Sequence, residues 1–384
     1  MPYHHGIKVV EISEGARPLS VKSTAIIGLI ATADDADPLA FPLNVPVEVT
    51  NDALIGKAGV AGTLAAALTT IFRRVKTIVV VIRVAASAVP ATQTANAVGT
   101  VTVEGARTGI QALLSVQSML GYKPKILGAP GLDSQGVADA LAAVAVKLNA
   151  FVYASAIGAT NAAAIGYRAN FGARELMLIT PDVKSLNAAG VSAASSAVAA
   201  ALAQRAWIDE NIGWHKSISN VALTGVLGVT RDIEFDLQSM ANDAGILNEA
   251  DITTIVRRDG YRFWGSRTCS DDPLFAFEPG VRTAQVLREL ADDLFWAIDK
   301  PLTPALAKAL VSSYDNSLKS LTRQGFLLGG EAWFDPARNP IDEIAAGKLN
   351  IDFDYSYAPP LESLGIAQRI TQRHLLDFAA RVTG

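Results

Sequence analysis

Apolar positions along this chain change their period in blocks, and each block predicts an element. Residues 6–12 alternate as a strand does, with Ile7, Val9, Val10 and Ile12 as apolar members, until Ser13-Glu14-Gly15-Ala16-Arg17-Pro18 breaks the pattern. A β-like run follows over residues 21–30, and a short strand over residues 45–50. Residues 63–74 carry helical spacing and lead into the β-branched run of residues 77–84. From about residue 106 strands and helices alternate. Short apolar strands are predicted at residues 125–131, 150–154 and 175–179, separated by helices at 134–149 and 162–171, with a long alanine-rich helix over 188–205. Continuous apolar strands between helices predict a parallel sheet covered on both faces.

The last third reads as helical again. Leu287, Leu290, Ala291, Leu294 and Ile298 recur on a helical spacing and predict one apolar stripe. Thr303-Pro304 is an N-cap and first-turn pair, and Ala307, Leu310, Val311, Tyr314, Leu318 and Leu321 continue a second amphipathic helix that Gly325 is placed to end. Its other face carries Lys308, Ser312, Asp315, Lys319 and Arg323. Residues 349–355 alternate as a strand with one solvated face, and Ala358-Pro359-Pro360 ends the folded body. A terminal segment with Gly365, Ile366, Arg369 and Ile370 remains.

Composition turns this pattern towards assembly. The chain of 384 residues is half hydrophobic, with 18% charged residues, and its mean hydropathy is +0.28. Charge is thus scarcer than the usual quarter or so. A surface of small apolar side chains favours association, although the same composition fits an enzyme with a large core. The formal net charge of −4 and the lack of any Lys/Arg run argue against nucleic-acid binding. The single cysteine, Cys269, excludes an internal disulfide and reads as a reduced thiol of cytosolic origin. The N-terminus carries no signal-peptide core, and the apolar runs are too short to span a bilayer, so neither signal-directed secretion nor membrane insertion is expected.

The densest local signal is Asp259-Gly260-Tyr261-Arg262-Phe263-Trp264-Gly265-Ser266-Arg267-Thr268. Such a cluster suits a crowded corner: glycines permit close backbone approach, an indole buries a large area, and guanidiniums bond carboxylates or carbonyls bidentately. Arg262, Trp264, Gly265, Arg267 and Thr268, with Tyr261 just before them, resemble the Arg-x-Trp-Gly-x-Arg-Thr signature of contractile tail sheath proteins, found in myovirus tails and R-type pyocins. The order of segments fits that family across nearly the whole chain. Ile82-Arg83-Val84 matches its buried strand ending, Ala129-Pro130-Gly131 its Ala-Pro-Gly turn, and residues 220–229 its Gly-Val repeat.

The resemblance implies an α/β and α+β multidomain fold: a subtilisin-like parallel α/β domain without a catalytic triad, an α+β C-terminal domain, and extended β-strand arms at both termini. The divisions expected are an N-terminal arm at 1–20, a β-rich region at 21–105, the α/β domain at 106–257, a tube-facing domain at 258–360 and a C-terminal arm at 361–384. It implies a structural subunit in six-membered rings stacked helically around a tail tube protein, joined to baseplate and tail terminator proteins. The particle it implies is a virion tail or a tailocin assembled in the bacterial host cytoplasm. Arm strands with Ile7, Val9, Val10, Ile12, Ile366, Arg369 and Ile370, hinged at Gly15, Pro18, Pro359, Pro360 and Gly365, would join neighbouring sheets by β-augmentation. Folding of both termini back onto their own subunit is the alternative. Lys308, Lys319 and Arg323 lie on a helix face that the family turns towards the tube. A type VI secretion sheath shares this logic but divides it between two chains, whereas this chain runs from arm to arm.

No catalytic constellation emerges from the sequence. Ser155 lacks a Gly-x-Ser-x-Gly elbow, and none of His4, His5, His215 and His374 falls at a strand end of the α/β region. Gly56, Gly59 and Gly62 precede a helix, as phosphate cradles do, but no Gly-Lys-Ser/Thr accompanies them, and a tight turn is the simpler reading. Asp232, Glu234 and Asp236, and likewise Asp352 and Asp354, read as solvated carboxylates rather than metal ligands. No cofactor is expected. The competing expectation is an α/β hydrolase-like or nucleotide-dependent enzyme with an unrecognised site; negative-stain microscopy separates a filament former from such an enzyme.

Overall fold

Strands with apolar residues on both faces need cover on both sides, and the computed structural model arranges them so. It describes residues 23–187, 190–372, 375 and 378–383; Ile7, Val9, Val10, Ile12, Gly15 and Pro18 lie outside these. In chain order the strands are β1 (Ile27–Thr32), β2 (Val47–Val49), β3 (Val79–Val84), β4 (Ile126–Gly128), β5 (Phe151–Ser155) and β6 (Leu176–Ile179). They continue with β7 (Val183–Leu186), β8 (Ser192–Ser195), β9 (Val226–Val229), β10 (Ile252–Arg257), β11 (Tyr261–Trp264), β12 (Leu327–Trp333) and β13 (Asp352–Tyr357). The helices are α1 (Leu64–Arg74), α2 (Pro90–Val98), α3 (Val116–Leu120), α4 (Gln135–Leu148), α5 (Asn161–Arg168) and α6 (Ala197–Asn211). After them come α7 (Asp243–Glu249), α8 (Glu278–Leu290), α9 (Pro304–Arg323), α10 (Ile341–Ala345) and α11 (Phe378–Thr383).

One mixed α/β sheet of order β11-β10-β6-β5-β4-β1-β3-β2 organises the body. Its inner strands pair in parallel, with Ile27 opposite both Val79 and Ile126, while β2 and β11 close the two edges antiparallel. Successive side chains on a strand point to opposite faces. Ile27, Leu29, Val79 and Phe151 therefore enter a core with Leu68 and Ile71 of α1 and Val198 and Leu202 of α6. Ile30, Ile82 and Val152 enter a second core against Val137, Leu141 and Val144 of α4. The chain moves outward from the β1–β4 boundary in both directions, so α1 and α4 cover opposite faces. This sheet runs across both positions, 105 and 257, at which the sequence suggested divisions.

A third core holds Leu287 and Leu290 of α8 against Tyr314, Leu318 and Leu321 of α9, with Leu327 and Ala332 of the two-stranded β12–β13 sheet. Thr303 caps α9 by accepting from the Leu306 amide at 3.2 Å, and Gly325, at φ 82°, follows its last residues.

Two expected elements differ. Of the helix expected over 188–205, residues 188 and 189 lie outside the described residues; Ser192–Ser195 form strand β8, paired with β7, and the helix α6 starts only at Ala197. The Gly190 amide bonds the Asn187 carbonyl, and the Ser196 side chain accepts from the amides of Val198 and Ala199, fixing the start of α6 there. Ser-Ala-Ala-Ser has helix-forming alanines, but pairing with β7 overrides propensity. The stripe expected from Leu287 to Ile298 is also interrupted: α8 ends at Leu290, a 3-10 segment covers Ala291–Ala297, and Ile298 is exposed. Asp292, Asp293 and Pro301 favour this early stop, since acidic residues oppose the negative end of a helix dipole.

Candidate assembly surfaces

The corner predicted from residues 259–268 is the turn and second strand of the β10–β11 hairpin. Asp259 and Gly260 take positive φ, 48° and 94°, and the Arg258 amide bonds the Gly260 carbonyl at 2.8 Å. Phe263 is fully buried, and Trp264 packs edge-on against Phe235 with ring centres 5.0 Å apart. Asn220 and Leu223 donate to the carbonyls of Phe263 and Tyr261 and cover the outer edge of β11. Gly265 sits at φ 130°, where a Cβ would meet the Thr253 backbone at 3.0 Å. The Thr268 hydroxyl donates to the Phe275 carbonyl at 2.7 Å. Arg267 reaches outward: Nε and Nη2 donate to the two carboxylate oxygens of Glu362 at 2.9 and 2.8 Å, and Asp251 lies 3.5 Å away.

Glu362 begins the terminal segment. From 358 to 371 the chain has no helix or strand, and Ile366 and Ile370 are 84% and 95% exposed, with Arg369 exposed beside them. Pro359, Pro360 and Gly365 lie in the same stretch. Nearby, β12 and β13 pair only with each other, so each leaves an outer edge without a strand partner among the described residues. On α9, Lys308, Lys319 and Arg323 are all exposed, within about 60° of one another at 100° per residue. Lys319 donates to Asp315 at 2.6 Å, so part of this positive face is already compensated.

Residues considered for catalysis are occupied structurally. Asp35, which no local sequence pattern marks, accepts from the amides of Val60 and Ala61 at 2.8 and 2.9 Å. These amides, chiefly that of Val60, hold its carboxyl below the usual range. The glycine loop before α1 thus carries its own anion where a phosphate would sit. Ser155 donates its amide to buried Asp133, whose carboxyl burial pushes up, and the cleft around them is lined by Thr180, Asp182 and Arg231 with no histidine among the described residues. His215 packs edge-on to Phe326 at 4.7 Å. Asp232, Glu234 and Asp236 face solvent, with Ile233 packed on the second core and Phe235 on Trp264 between them. No group of three potential metal ligands clusters among the described residues. Asp352 pairs with Arg338, and Asp354 accepts from the Glu331 amide at 3.3 Å. Cys269 is fully buried, and burial pushes its thiol up to about 12.

Sequence reasoning missed a buried charge cluster joining α6 to α8. Arg205 contacts Asp209 at 2.7 Å and Glu278 at 2.9 Å, and Arg282 pairs with the other oxygen of Asp209. Glu278 also accepts from the Tyr153 hydroxyl and, at 2.9 Å, from the Ile218 amide. Burial alone would raise the Glu278 carboxyl; Arg205 and Arg282 outweigh it and hold the group below its ordinary range. Arg205 and Asp209 stand one helical turn apart, the only signal the sequence offered.

The family model for the phage tail sheath protein central domain matches residues 105–269, that for the phage tail sheath C-terminal domain 270–371, and that for the N-terminal region of domain III of tail sheath protein Gp18 24–84. The chain is 45% identical to the tail sheath protein of Escherichia phage P2 over 99% of its own length and 98% of that relative. It is 41% identical to the major tail sheath protein of Serratia phage KSP20 over 97% and 96% of the two chains. Among solved structures it is similar to the helical sheath of the anti-feeding prophage in its contracted state, with a TM-score of 0.71 at 20% identity, covering 97% of this chain and 100% of that one. The contracted sheath complex of the extracellular injection system PVC gives the same TM-score, 0.71, at 15% identity over 97% and 99%.

Proposed function

The chain belongs to the phage tail sheath protein family and is a structural subunit of a contractile sheath, not an enzyme, and from that premise we propose how it assembles. Subunits form six-membered rings stacked helically around a tail tube protein, between a baseplate and a tail terminator, in a particle assembled in the host cytoplasm. A heterologous contact between rings that does not close on itself generates the helix. Contraction converts the metastable extended packing into a second packing, and small gains at each interface sum over many copies. The parallel sheet serves as a subtilisin-like scaffold without its triad.

The observation carrying this reading is the terminal segment with Ile366, Arg369 and Ile370: two large aliphatic side chains almost fully exposed, in a stretch that follows in sequence on a two-stranded sheet whose outer edges carry no strand partner among the described residues. Such a segment gains cover and main-chain hydrogen bonds by adding to a neighbour's sheet. The N-terminal strand with Ile7, Val9, Val10 and Ile12 acts likewise on another neighbour, and Gly15, Pro18, Pro359, Pro360 and Gly365 let bodies rotate while arms stay joined. Lys308, Lys319 and Arg323 face the tube.

Deleting residues 365–384, or separately 1–20, tests the arms by sedimentation and circular dichroism. Each truncation should remain folded and fail to form sheath-like tubes. Long tubes from either truncation would remove that arm from the lattice, and an unfolded truncation would assign its strand to its own subunit.

A further inference from the structure

The C-terminal segment is tied to the body at a place well defined by chemistry. β13 ends at Tyr357, and five residues later Glu362 meets Arg267 through two parallel hydrogen bonds of 2.9 and 2.8 Å, the fork geometry in which guanidinium and carboxylate bind most strongly. Arg267 is itself braced. Its backbone bridges Phe277, its guanidinium lies 5.5 Å from the centre of the Phe277 ring, and Asp251 stands 3.5 Å from Nη1 on the other side. Pro359 and Pro360 fall between the strand end and Glu362, so this stretch is stiff as well as anchored at both ends. Beyond the clamp come Ser363, Leu364 and Gly365, and then the exposed apolar residues of the arm.

We propose that Arg267 and Glu362 form a clamp that fixes where the C-terminal arm leaves the subunit, confining the bend during contraction to residues 363–365. This rests on the arm reading above and divides its hinge residues: Pro359 and Pro360 belong to the body's side of the pivot, Gly365 to the moving side. Slack is the physical reason the position matters. Releasing residues 358–362 would lengthen the free linker by about 16 Å at roughly 3.3 Å per extended residue. An arm with that much play transmits the displacement of one subunit to the next poorly, because the linker straightens before it pulls. A clamp that keeps the free linker short makes each ring's movement oblige its neighbour's.

The test compares full-length wild type with Glu362→Gln, which keeps size and loses charge, and with Glu362→Asp, which keeps charge. Unassembled subunits from the supernatant after sedimentation are digested with chymotrypsin, and cleavage after Leu361 and Leu364, which flank the clamp, is timed by mass spectrometry. Glu362→Gln should be cut about five-fold faster, Glu362→Asp in between, and 1 M salt should accelerate wild type but not Glu362→Gln, as expected for an exposed ion pair governing local opening. Equal rates for wild type and Glu362→Gln, or a wild type insensitive to salt, would overturn the clamp. Assembled sheaths carrying Glu362→Gln, imaged after triggering, should leave a larger fraction partly contracted; complete contraction as in wild type would overturn its role as the pivot. The deletion of residues 365–384 retains the clamp, so failure of the arm reading would register there, independently of the cleavage result.

Discussion

Arg205 of α6 and Glu278 of α8 lie 73 positions apart in sequence and 2.9 Å apart in space, with neither side chain exposed. Around them Asp209, Arg282 and Tyr153 complete a buried set of two acids, two bases and a hydroxyl. Taking one partner from such a set leaves a buried charge uncompensated. Glu278→Ala should destabilise the subunit by about 3–5 kcal/mol, whereas Tyr153→Phe, which removes one hydrogen bond, should cost about 1 kcal/mol. Urea unfolding followed by circular dichroism measures both, and equal losses would contradict the assignment of Glu278 as the hub.

The same carboxylate gives the subunit a sense of pH. Glu278 is held below its ordinary 4.5, so its contribution is fully present above that pH and is lost as pH falls through the lower folded value. Asp133 works in the opposite sense: burial raises it above 3.8, so it is protonated first in the folded state, and its cost is relieved as pH falls. Glu278→Gln should therefore flatten the loss of stability on acidification, and Asp133→Asn should steepen it. Melting temperatures between pH 3 and pH 7 decide the matter, and slopes moving in the same direction would refute it.

How much of this was legible in the sequence follows from what each residue depends on. The apolar runs of β1, β3, β5 and β6 announced themselves because both of their faces are covered, and Thr303-Pro304 announced α9 because a cap is a local device. The pairing of β7 with β8 was hidden, since alanine and serine fit either state and the choice lies with the partner strand. Arg205 and Glu278 were invisible as a pair because nothing local marks a contact across 73 positions. The Arg267 fork was anticipated as a chemistry, but its acceptor, 95 residues downstream, was not.

Gly265 gives a prediction of backbone rather than charge. At φ 130° no side chain is easily accommodated, and a methyl group would press on the Thr253 backbone at 3.0 Å and the Asn248 amide at 3.1 Å. Gly265→Ala should cost about 2–3 kcal/mol, while Gly172→Ala, with open space around its Cβ and no positive φ, should change stability by less than about 0.5 kcal/mol. A neutral Gly265→Ala would mean that the β11 corner relaxes freely.

The α9 face yields the sharpest test of the tube contact. Lys308 and Arg323 stand exposed near opposite ends of the helix, while Lys319 is engaged by Asp315 at 2.6 Å. Contact with acidic tube residues would draw mainly on Lys308 and Arg323, because the charge of Lys319 is partly neutralised before any tube arrives. Lys308→Glu and Arg323→Glu should each reduce the fraction of sheathed tubes when sheath and tube proteins are co-produced, and their combination should nearly abolish it. Lys319→Glu should weaken α9 by a few tenths of a kcal/mol through repulsion from Asp315 and affect docking less. All variants should still form tube-free polymers if, as proposed, those depend on the arms. Electron microscopy counts both products in one preparation. Normal sheathed tails from the Lys308→Glu/Arg323→Glu variant would show that this face does not carry the tube contact, and loss of tube-free polymers as well would show that it serves contacts between sheath subunits instead.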